Sequence, residues 1–181
     1  MTKKNYILEQ KCRICSSKNL NLILDLGEQP PANSFIDKNE LNSSESKFPL
    51  RLFWCGDCYL VQLLDIVDKE FLFKNYFYMT SASKPIVDHF KKYAHNVFEE
   101  FLKEETNPFV VEIGSNDGSL LSEFKKLGTQ ILGIEPATNL SNLANQSNIT
   151  TKNTFFSSQV CKEIIKSRNA TVVVANNVIA H

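Results

Sequence analysis

The sequence predicts an α/β protein of two domains, a small β-rich domain built around four cysteines over residues 1–70 and a Rossmann-like domain over residues 71–181. Two observations support this division. Four of the five cysteines form two C-x-x-C pairs, and all four lie before residue 60. After residue 108, short apolar runs alternate with amphipathic stretches, which is the pattern of a parallel sheet covered by helices.

The composition is that of a globular chain with balanced charge. Hydrophobic residues make up 43% of the 181 residues and include 13 Phe, so a sizeable core is possible. Lys plus Arg and Asp plus Glu number 20 each, which provides no net field for nucleic acid or an anionic membrane. The N-terminus has no apolar signal core, and no apolar run approaches the roughly 20 residues of a membrane span. We therefore expect a soluble cytoplasmic protein with neither nucleic acid nor membrane as a partner, whose cysteines serve as metal ligands or inert thiols.

The first pair of cysteines is Cys12 and Cys15, and the second is Cys55 and Cys58. Each pair can form a tight knuckle, and two knuckles make a closed site of four thiolates, the usual arrangement for structural zinc. The alternatives are four buried thiols or a redox pair, although a redox pair needs only one C-x-x-C inside a βαβ pattern. We predict structural zinc at these four residues and expect Cys161, on an amphipathic helix, to be a core thiol.

Residues 16–54, between the pairs, form a longer interval than the roughly 15–20 residues of common zinc modules, so a folded hairpin must fill it. Alternating leucines over residues 20–26 predict one strand, and Leu50, Leu52 and Trp54 predict another. Residues 37–49 are polar and predict an exposed loop. The aromatic stretch 71–83 is interpreted either as a linker that docks the two domains or as a segment that points Tyr76 or Tyr78 into the cleft between them. A helix is predicted over residues 85–104.

The stretch 109–121, FVVEIGSNDGSLL, predicts a buried strand, a glycine-containing turn and a helix that runs up to Gly128. Such a turn brings bare backbone close to a ligand, although an ordinary βα turn remains the alternative. Glu112 lies inside the strand end, which is an unusual place for a carboxylate that binds nothing. A second predicted strand, 129–134, is followed by Glu135, about 20 residues beyond the turn, where a ribose hydroxyl pair is gripped in nucleotide-binding folds.

The nucleotide is either a dinucleotide or S-adenosylmethionine. The dinucleotide fingerprint requires a glycine at the position that Asn116 occupies here, because a side chain there obstructs a diphosphate. S-adenosylmethionine instead has an amino acid end, and the polar side chains of Ser115, Asn116 and Asp117 suit its ammonium and carboxylate groups. We therefore favour S-adenosylmethionine.

The remaining elements complete one half of a doubly wound fold. They are a helix over 139–144, a strand near 150–156, a helix over 158–167 and a strand over 170–177. If the first strand is central, the fourth pairs beside it and leaves residues 172–175 as a bare apolar edge. From this edge we expect the chain to be truncated.

Taken together, the motifs resemble the sugar-nucleotide C-methyltransferase family that has an N-terminal zinc-binding domain. The matching stretches are Cys12-x-x-Cys15, Leu26-Gly-Glu-Gln-Pro-Pro-Ala-Asn33, Phe48-Pro-Leu-x-Leu52, Cys55-x-x-Cys58, Val61-Gln-Leu63, Tyr76-Phe-Tyr78, Glu112-Ile-Gly-Ser-Asn-Asp-Gly118, Gly133-Ile-Glu-Pro136 and Asn176-Asn-Val-Ile-Ala-His181. They run the length of the chain in family order and are specific jointly rather than singly.

The resemblance implies methyl transfer from S-adenosylmethionine to a ring carbon of a nucleotide-linked deoxy-keto-sugar. It assigns the ribose to Glu135, the methionine end to the 114–118 loop, and the sugar site to Tyr76 and His181 as catalytic residues. The expected cofactor-binding set is Glu112, Gly114, Ser115, Asn116, Asp117, Gly118, Glu135, Pro136, Asn176 and Asn177. The family's general base is expected in a C-terminal half beyond residue 181, so we expect this chain alone to be inactive.

Two other functions stay open. One is a non-catalytic zinc module joined to a degenerate nucleotide-binding half, paired with another chain. The other is an NAD-dependent oxidoreductase acting on sugar nucleotides, against which Asn116 counts.

Overall fold

The structure, a computed structural model, describes residues 5–179. The chain divides into two compact units, Met1–Phe73 and Lys74–His181. Within residues 5–179, no helix is both long enough and apolar enough to cross a membrane.

The described part of the first unit, residues 5–73, contains two small antiparallel sheets, one short α-helix and one 3-10 turn (Lys38–Glu40). Its elements are β1 (Tyr6–Leu8), β2 (Leu20–Gln29), β3 (Phe48–Cys55), β4 (Val61–Leu63), β5 (Asp65–Val67) and α1 (Lys69–Phe73). The sheets have the orders β2-β3-β4 and β1-β5. The register pairs Leu20 with Cys55, so the start of β2 lies beside the second knuckle. The hairpin expected between the cysteine pairs is therefore present.

The leucine alternation in β2 predicted a strand, but it does not correspond to a buried face. Leu22, Leu24 and Leu26 are each about half exposed, as is Ile23 between them. The pairing of β2 with β3 shifts register twice, between Leu22 and Leu24 and again between Asp25 and Glu28. Each bulge turns the side chains that follow it to the other face of the sheet. The leucines that alternate in the sequence therefore do not line one face of the strand.

The second unit contains a parallel four-stranded sheet. Its strands are β6 (Phe109–Ile113), β7 (Gln130–Ile134), β8 (Thr151–Lys152) and β9 (Val172–Val174). They lie in the order β8-β7-β6-β9, so the first strand of this unit is central and the fourth pairs beside it. This is the strand order of one half of a doubly wound α/β fold, as the sequence predicted.

Helices cover both faces of this sheet. They are α2 (Lys84–Val97), which a π-helical turn (Phe98–Leu102) continues, α3 (Ser119–Lys126), α4 (Thr138–Gln146) and α5 (Ser158–Ser167). On one face Val110 packs in a cluster with Ala94 of α2 and Phe124 of α3. On the other face Val111 packs in a cluster with Val160 of α5. Because adjacent residues of β6 enter opposite clusters, the continuous apolar run 109–113 is buried on both sides.

Three predicted elements are shorter in the structure. The helix expected over 85–104 is α-helical only to Val97, where the π-helical turn replaces it. The strand expected near 150–156 pairs only at Thr151 and Lys152, and the strand expected over 170–177 pairs only over 172–174. Beyond Lys152, the side chain of Asn153 donates to the backbone oxygens of Glu135 and Pro136 at 2.9 Å each, which replaces further strand pairing.

Candidate metal and cofactor sites

The four cysteines of the two C-x-x-C pairs meet in the first unit. Their sulfur atoms all lie within 4.8 Å of one another. The Cys12 and Cys58 sulfurs are 3.5 Å apart, and the Cys15 and Cys55 sulfurs are 3.6 Å apart. Sulfurs bound tetrahedrally to zinc at about 2.3 Å stand roughly 3.8 Å from one another, so this cluster has the donor set and nearly the size of a Cys₄ zinc site. All five cysteines are free thiols, and Cys161, on α5 of the second unit, is not one of the four clustered residues.

Side chains outside the cluster hold the two knuckles together. Gln62 is buried, accepts from the backbone N–H of Arg13 at 3.0 Å and donates to the Cys12 sulfur at 3.3 Å. On the other side, Asp57 accepts from the Ser17 hydroxyl at 2.6 Å and from the Asn19 amide at 2.8 Å. Gln62 joins the first knuckle to the strand after the second, and Asp57 joins the second knuckle to the residues after the first, so the cluster is organised by more than its cysteines.

The cluster holds its sulfurs in different electrostatic environments. A hydrogen bond from the backbone of Cys15 is the main cause that lowers the pKa of Cys12 to about 6, with Gln62 and Cys58 adding to it against burial. The backbone amide of Ser17 lowers the pKa of Cys15. Hydrogen bonds with the other three cysteines, together with burial, outweigh this amide and raise the pKa to about 12. Thiols this close share their charge, which a divalent cation would neutralise.

The glycine turn of the second unit has the close backbone approach that the sequence indicated. Gly114 and Gly118 adopt left-handed φ values of 67° and 80°. A Cβ atom on Gly114 would stand 2.5 Å from the Val178 side chain, and one on Gly118 would stand 2.8 Å from Ile149. Gly133, on the neighbouring strand, is equally confined, since its Cβ would stand 2.4 Å from the Ser115 hydroxyl. A Cβ atom at any of these three points would therefore require a neighbouring side chain to move.

Glu135 lies at the tip of β7, is buried and accepts two backbone hydrogen bonds. Its Oε2 accepts from the Asn116 N–H and its Oε1 accepts from the Ala137 N–H, both at 2.8 Å. Burial raises the pKa of Glu135, while the amides of Ala137 and Asn116 oppose that rise. A carboxylate offers about four lone-pair positions, so each oxygen retains acceptor capacity for a ligand hydroxyl.

Three buried polar atoms near the carboxyl ends of β6 and β9 have no hydrogen-bond partner among residues 5–179. They are Oε2 of Glu112, the hydroxyl of Ser115 and Nδ2 of Asn176. Unpartnered buried polar atoms are rare in folded proteins because each costs free energy, and a bound ligand is one reason they persist. Burial, and then the charges of Glu135 and Asp117, raise the pKa of Glu112 well above its usual value.

The side chains of Asn116 and Asp117 are engaged by the segment that precedes α2. Asn116 accepts from the Thr80 N–H at 2.9 Å and donates to the Tyr78 carbonyl at 3.0 Å. Asp117 accepts from the Ser81 N–H at 2.8 Å and, through its other oxygen, from the Ser119 hydroxyl at 2.6 Å. The structure thus gives these two side chains protein partners, and their predicted contact with the cofactor stays a prediction.

The other predicted site residues surround the same edge of the sheet. Pro136 follows Glu135 and is half-buried, and Asn177 is exposed with a left-handed φ of 54°. The backbone of Tyr76 is held by Asn139, which accepts from the Tyr76 N–H at 3.1 Å and donates to the Tyr76 carbonyl at 2.8 Å. His181 lies outside the described residues, so its catalytic role stays a prediction.

Sequence reasoning assigned no role to Gln62 or to Asn139, which belong to these networks. Gln62 carried a signal, because it is the polar member of the strand Val61–Leu63 and is buried between two neighbours that are about half exposed. Asn139 is an exposed residue near the start of α4, and nothing in the local pattern separates it from Asn142 on the same helix.

Comparison with known proteins agrees with this geometry. Residues 12–73 match the family model described as "Putative zinc binding domain". The chain is 29% identical over 154 residues to "C-methyltransferase NovU" of Streptomyces niveus, an alignment that covers 85% of this chain and 36% of that protein. The chain therefore spans about a third of the length of this curated relative. The resemblance to C-methyltransferases with an N-terminal zinc-binding domain is confirmed.

Among solved structures, the chain is similar to "Structure of the plantazolicin methyltransferase BpumL in complex with SAH", with 25% identity over 40% of this chain and 29% of that one. The TM-score is 0.28, too low to carry an argument about the site.

Proposed function

We propose that this chain supplies the cofactor-binding part of an S-adenosylmethionine-dependent C-methyltransferase whose substrate is a nucleotide-linked deoxy-keto-sugar. The observation that carries the proposal is the group of three unpartnered polar atoms, on Glu112, Ser115 and Asn176, beside the glycine turn and Glu135. In open α/β sheets, ligands bind outside the carboxyl ends of the strands, which is where these atoms lie. The relation to C-methyltransferase NovU supports the reaction type.

The charge of the site favours this cofactor over a dinucleotide. The carboxylates of Glu112, Glu135 and Asp117 lie close enough for the last two to raise the pKa of the first. Residues 109–124 contain neither Lys nor Arg. A diphosphate would therefore meet no basic side chain in this stretch and would face the carboxylates of Glu135 and Asp117, whereas S-adenosylmethionine brings a sulfonium and an ammonium group.

The residues present fit S-adenosylmethionine. Glu135 would accept hydrogen bonds from the ribose hydroxyls, and the Gly114–Gly118 backbone would lie against the methionine end. Glu112 and Ser115 have unpartnered atoms for the ammonium and carboxylate groups. When bound, the cofactor supplies a methyl group to a carbon nucleophile. In the proposed substrate, that carbon becomes nucleophilic when a base removes the proton beside a ketone, and Tyr76 and His181 are assigned to the sugar site.

Structural zinc at the Cys12, Cys15, Cys55 and Cys58 cluster is the second part of the proposal. A closed site of four thiolates has no open coordination position for substrate, so its role is to hold the fold and not to catalyse.

Calorimetry tests the cofactor assignment. The chain should bind S-adenosylmethionine or S-adenosylhomocysteine more tightly than NAD. Glu135→Ala should weaken that binding by at least about tenfold, because hydrogen bonds to a charged group each contribute roughly 1.5–3 kcal/mol. Glu105→Ala, at an exposed position of the same unit, is the matched control.

Glu135→Gln provides a check should the alanine variant lose its fold, since it keeps the shape and one acceptor oxygen. Tighter binding of NAD, or unchanged affinity in both Glu135 variants, would contradict the assignment. Binding of neither ligand would favour a non-catalytic role for the second unit.

A further inference from the structure

The segment 76–81, which precedes α2, has no regular secondary structure until Thr80, yet side chains of two separate elements hold its backbone. Asn139 of α4 bonds both the N–H and the carbonyl of Tyr76. Asn116 of the glycine turn bonds the Thr80 N–H and the Tyr78 carbonyl. Two asparagine amides thus imitate strand pairing at the two ends of one segment, each acting as donor and acceptor.

A third contact reinforces the second end. Asp117 accepts from the Ser81 N–H at 2.8 Å, and Thr80 is buried. Asn116 adopts a left-handed φ of 53°, a conformation that asparagine tolerates better than most residues. Two of the three polar side chains of the turn, those of Asn116 and Asp117, thus contact the 76–81 segment.

The carboxylate of Glu135 connects the two attachment points. One oxygen accepts from the backbone N–H of Asn116, whose side chain holds Tyr78 and Thr80. The other oxygen accepts from the N–H of Ala137, which caps the start of α4 two residues before Asn139. A ligand that reorients this carboxylate would act on both attachment points at once.

We propose that Asn116, Asp117 and Asn139 are positioning residues that hold the 76–81 segment on the cofactor loop, with Glu135 coupling ligand binding to the order of that segment. The attachment itself is independent of the proposed function. The coupling rests on the proposed function, because it requires a ligand with hydroxyl groups at Glu135.

Amide hydrogen exchange, followed by mass spectrometry on a peptide covering 74–83, tests the attachment. Exchange should be faster in Asn139→Ala by about fivefold or more, the factor that corresponds to the net contribution of one hydrogen bond. Asn142→Ala, an exposed asparagine of the same helix, should leave it unchanged. Asn116→Gly, chosen because glycine accepts the left-handed backbone, should act as Asn139→Ala does.

Exchange of β6 in the same samples reports whether the fold survives. If Asn116→Gly exposes β6, the surface variant Asn139→Ala decides the question, since its side chain lies outside the core. Exchange in the 74–83 peptide that is no faster in Asn139→Ala than in Asn142→Ala would overturn the proposal.

S-adenosylhomocysteine is the probe for the coupling. It should slow exchange in the 74–83 peptide of the wild type and have a smaller effect in Asn116→Gly. Calorimetric binding without slower exchange would overturn the coupling. Absence of binding would refute the proposed cofactor and the coupling with it. Faster exchange of the 74–83 peptide in Asn139→Ala would still support the attachment.

Discussion

Glu112 shows at the scale of one residue how a site costs stability. Its carboxylate is buried in the central strand, and burial raises its pKa well above the usual value of 4.5. A raised pKa means that the folded state holds the proton more tightly than the unfolded state does. The contribution of Glu112 to the free energy of unfolding is therefore fully present below about pH 4.5, where the carboxyl group is protonated in both states. It is lost as the pH rises through the higher folded-state pKa.

We accordingly expect Glu112→Gln to gain in unfolding free energy over the wild type as the pH is raised from about 5 to 8, by roughly 1.4 kcal/mol for each unit by which the folded-state pKa exceeds the unfolded-state pKa. Chemical denaturation of both proteins across this pH range measures the difference. The control is Glu100→Gln at an exposed position. A difference that does not change with pH would mean that the pKa of Glu112 is the same in the folded and the unfolded protein.

Gln62 illustrates a residue that acts through another. Its amide bridges the Arg13 backbone and the Cys12 sulfur, and loss of such a partner commonly weakens metal binding by about 10–100-fold. With zinc bound, Gln62→Leu should release the metal to a chelator faster than the wild type. Gln10→Leu, an exposed residue of the same unit, should release it at the wild-type rate. Equal release from all three proteins would make Gln62 a packing residue only.

At the scale of elements, β7 and the glycine turn meet at Gly133. A Cβ there would stand 2.4 Å from the Ser115 hydroxyl and 2.7 Å from the Thr151 hydroxyl. We expect Gly133→Ala to destabilise the second unit by about 1–3 kcal/mol, the usual cost of overpacking. Thermal unfolding measures the loss, and the additional change Ser115→Gly should restore part of it. No restoration would show that the strain lies elsewhere in the sheet.

At the scale of the whole molecule, each unit has a separate source of stability. The second unit contains both hydrophobic clusters identified among residues 5–179, whereas many large side chains of the first unit are exposed. Small domains with little core commonly depend on a metal, and structural zinc contributes apparent binding energies of about 10 kcal/mol or more near neutral pH.

Cys55→Ala should therefore unfold the first unit and spare the second. Hydrogen exchange resolved by peptide, together with elemental analysis for zinc, measures both effects. Cys161→Ala removes a thiol outside the cluster and should leave the zinc content unchanged. An N-terminal unit that stays folded without stoichiometric zinc would contradict the metal assignment.

The sequence by itself determined the elements whose cause is local. Spacing alone identified the two cysteine knuckles, and the run 109–113 followed by a glycine turn identified the central strand and the loop beside it. These features depend on residues a few positions apart, so periodicity and turn chemistry report them. The strand order followed from the general rule for alternating strands and helices.

Only the tertiary structure decided which polar side chains are engaged by the protein itself. Asn116, Asp117 and Asn139 meet the 76–81 segment across 36 to 63 residues of chain. Gln62 reaches Cys12 across 50 residues. The physical reason is that hydrogen-bond partners distant in sequence are set by the packing of whole elements, which leaves no periodic trace in the chain. The residue type indicates that a polar side chain could belong to a site. Whether that side chain is available to a ligand depends on the protein groups that surround it in space.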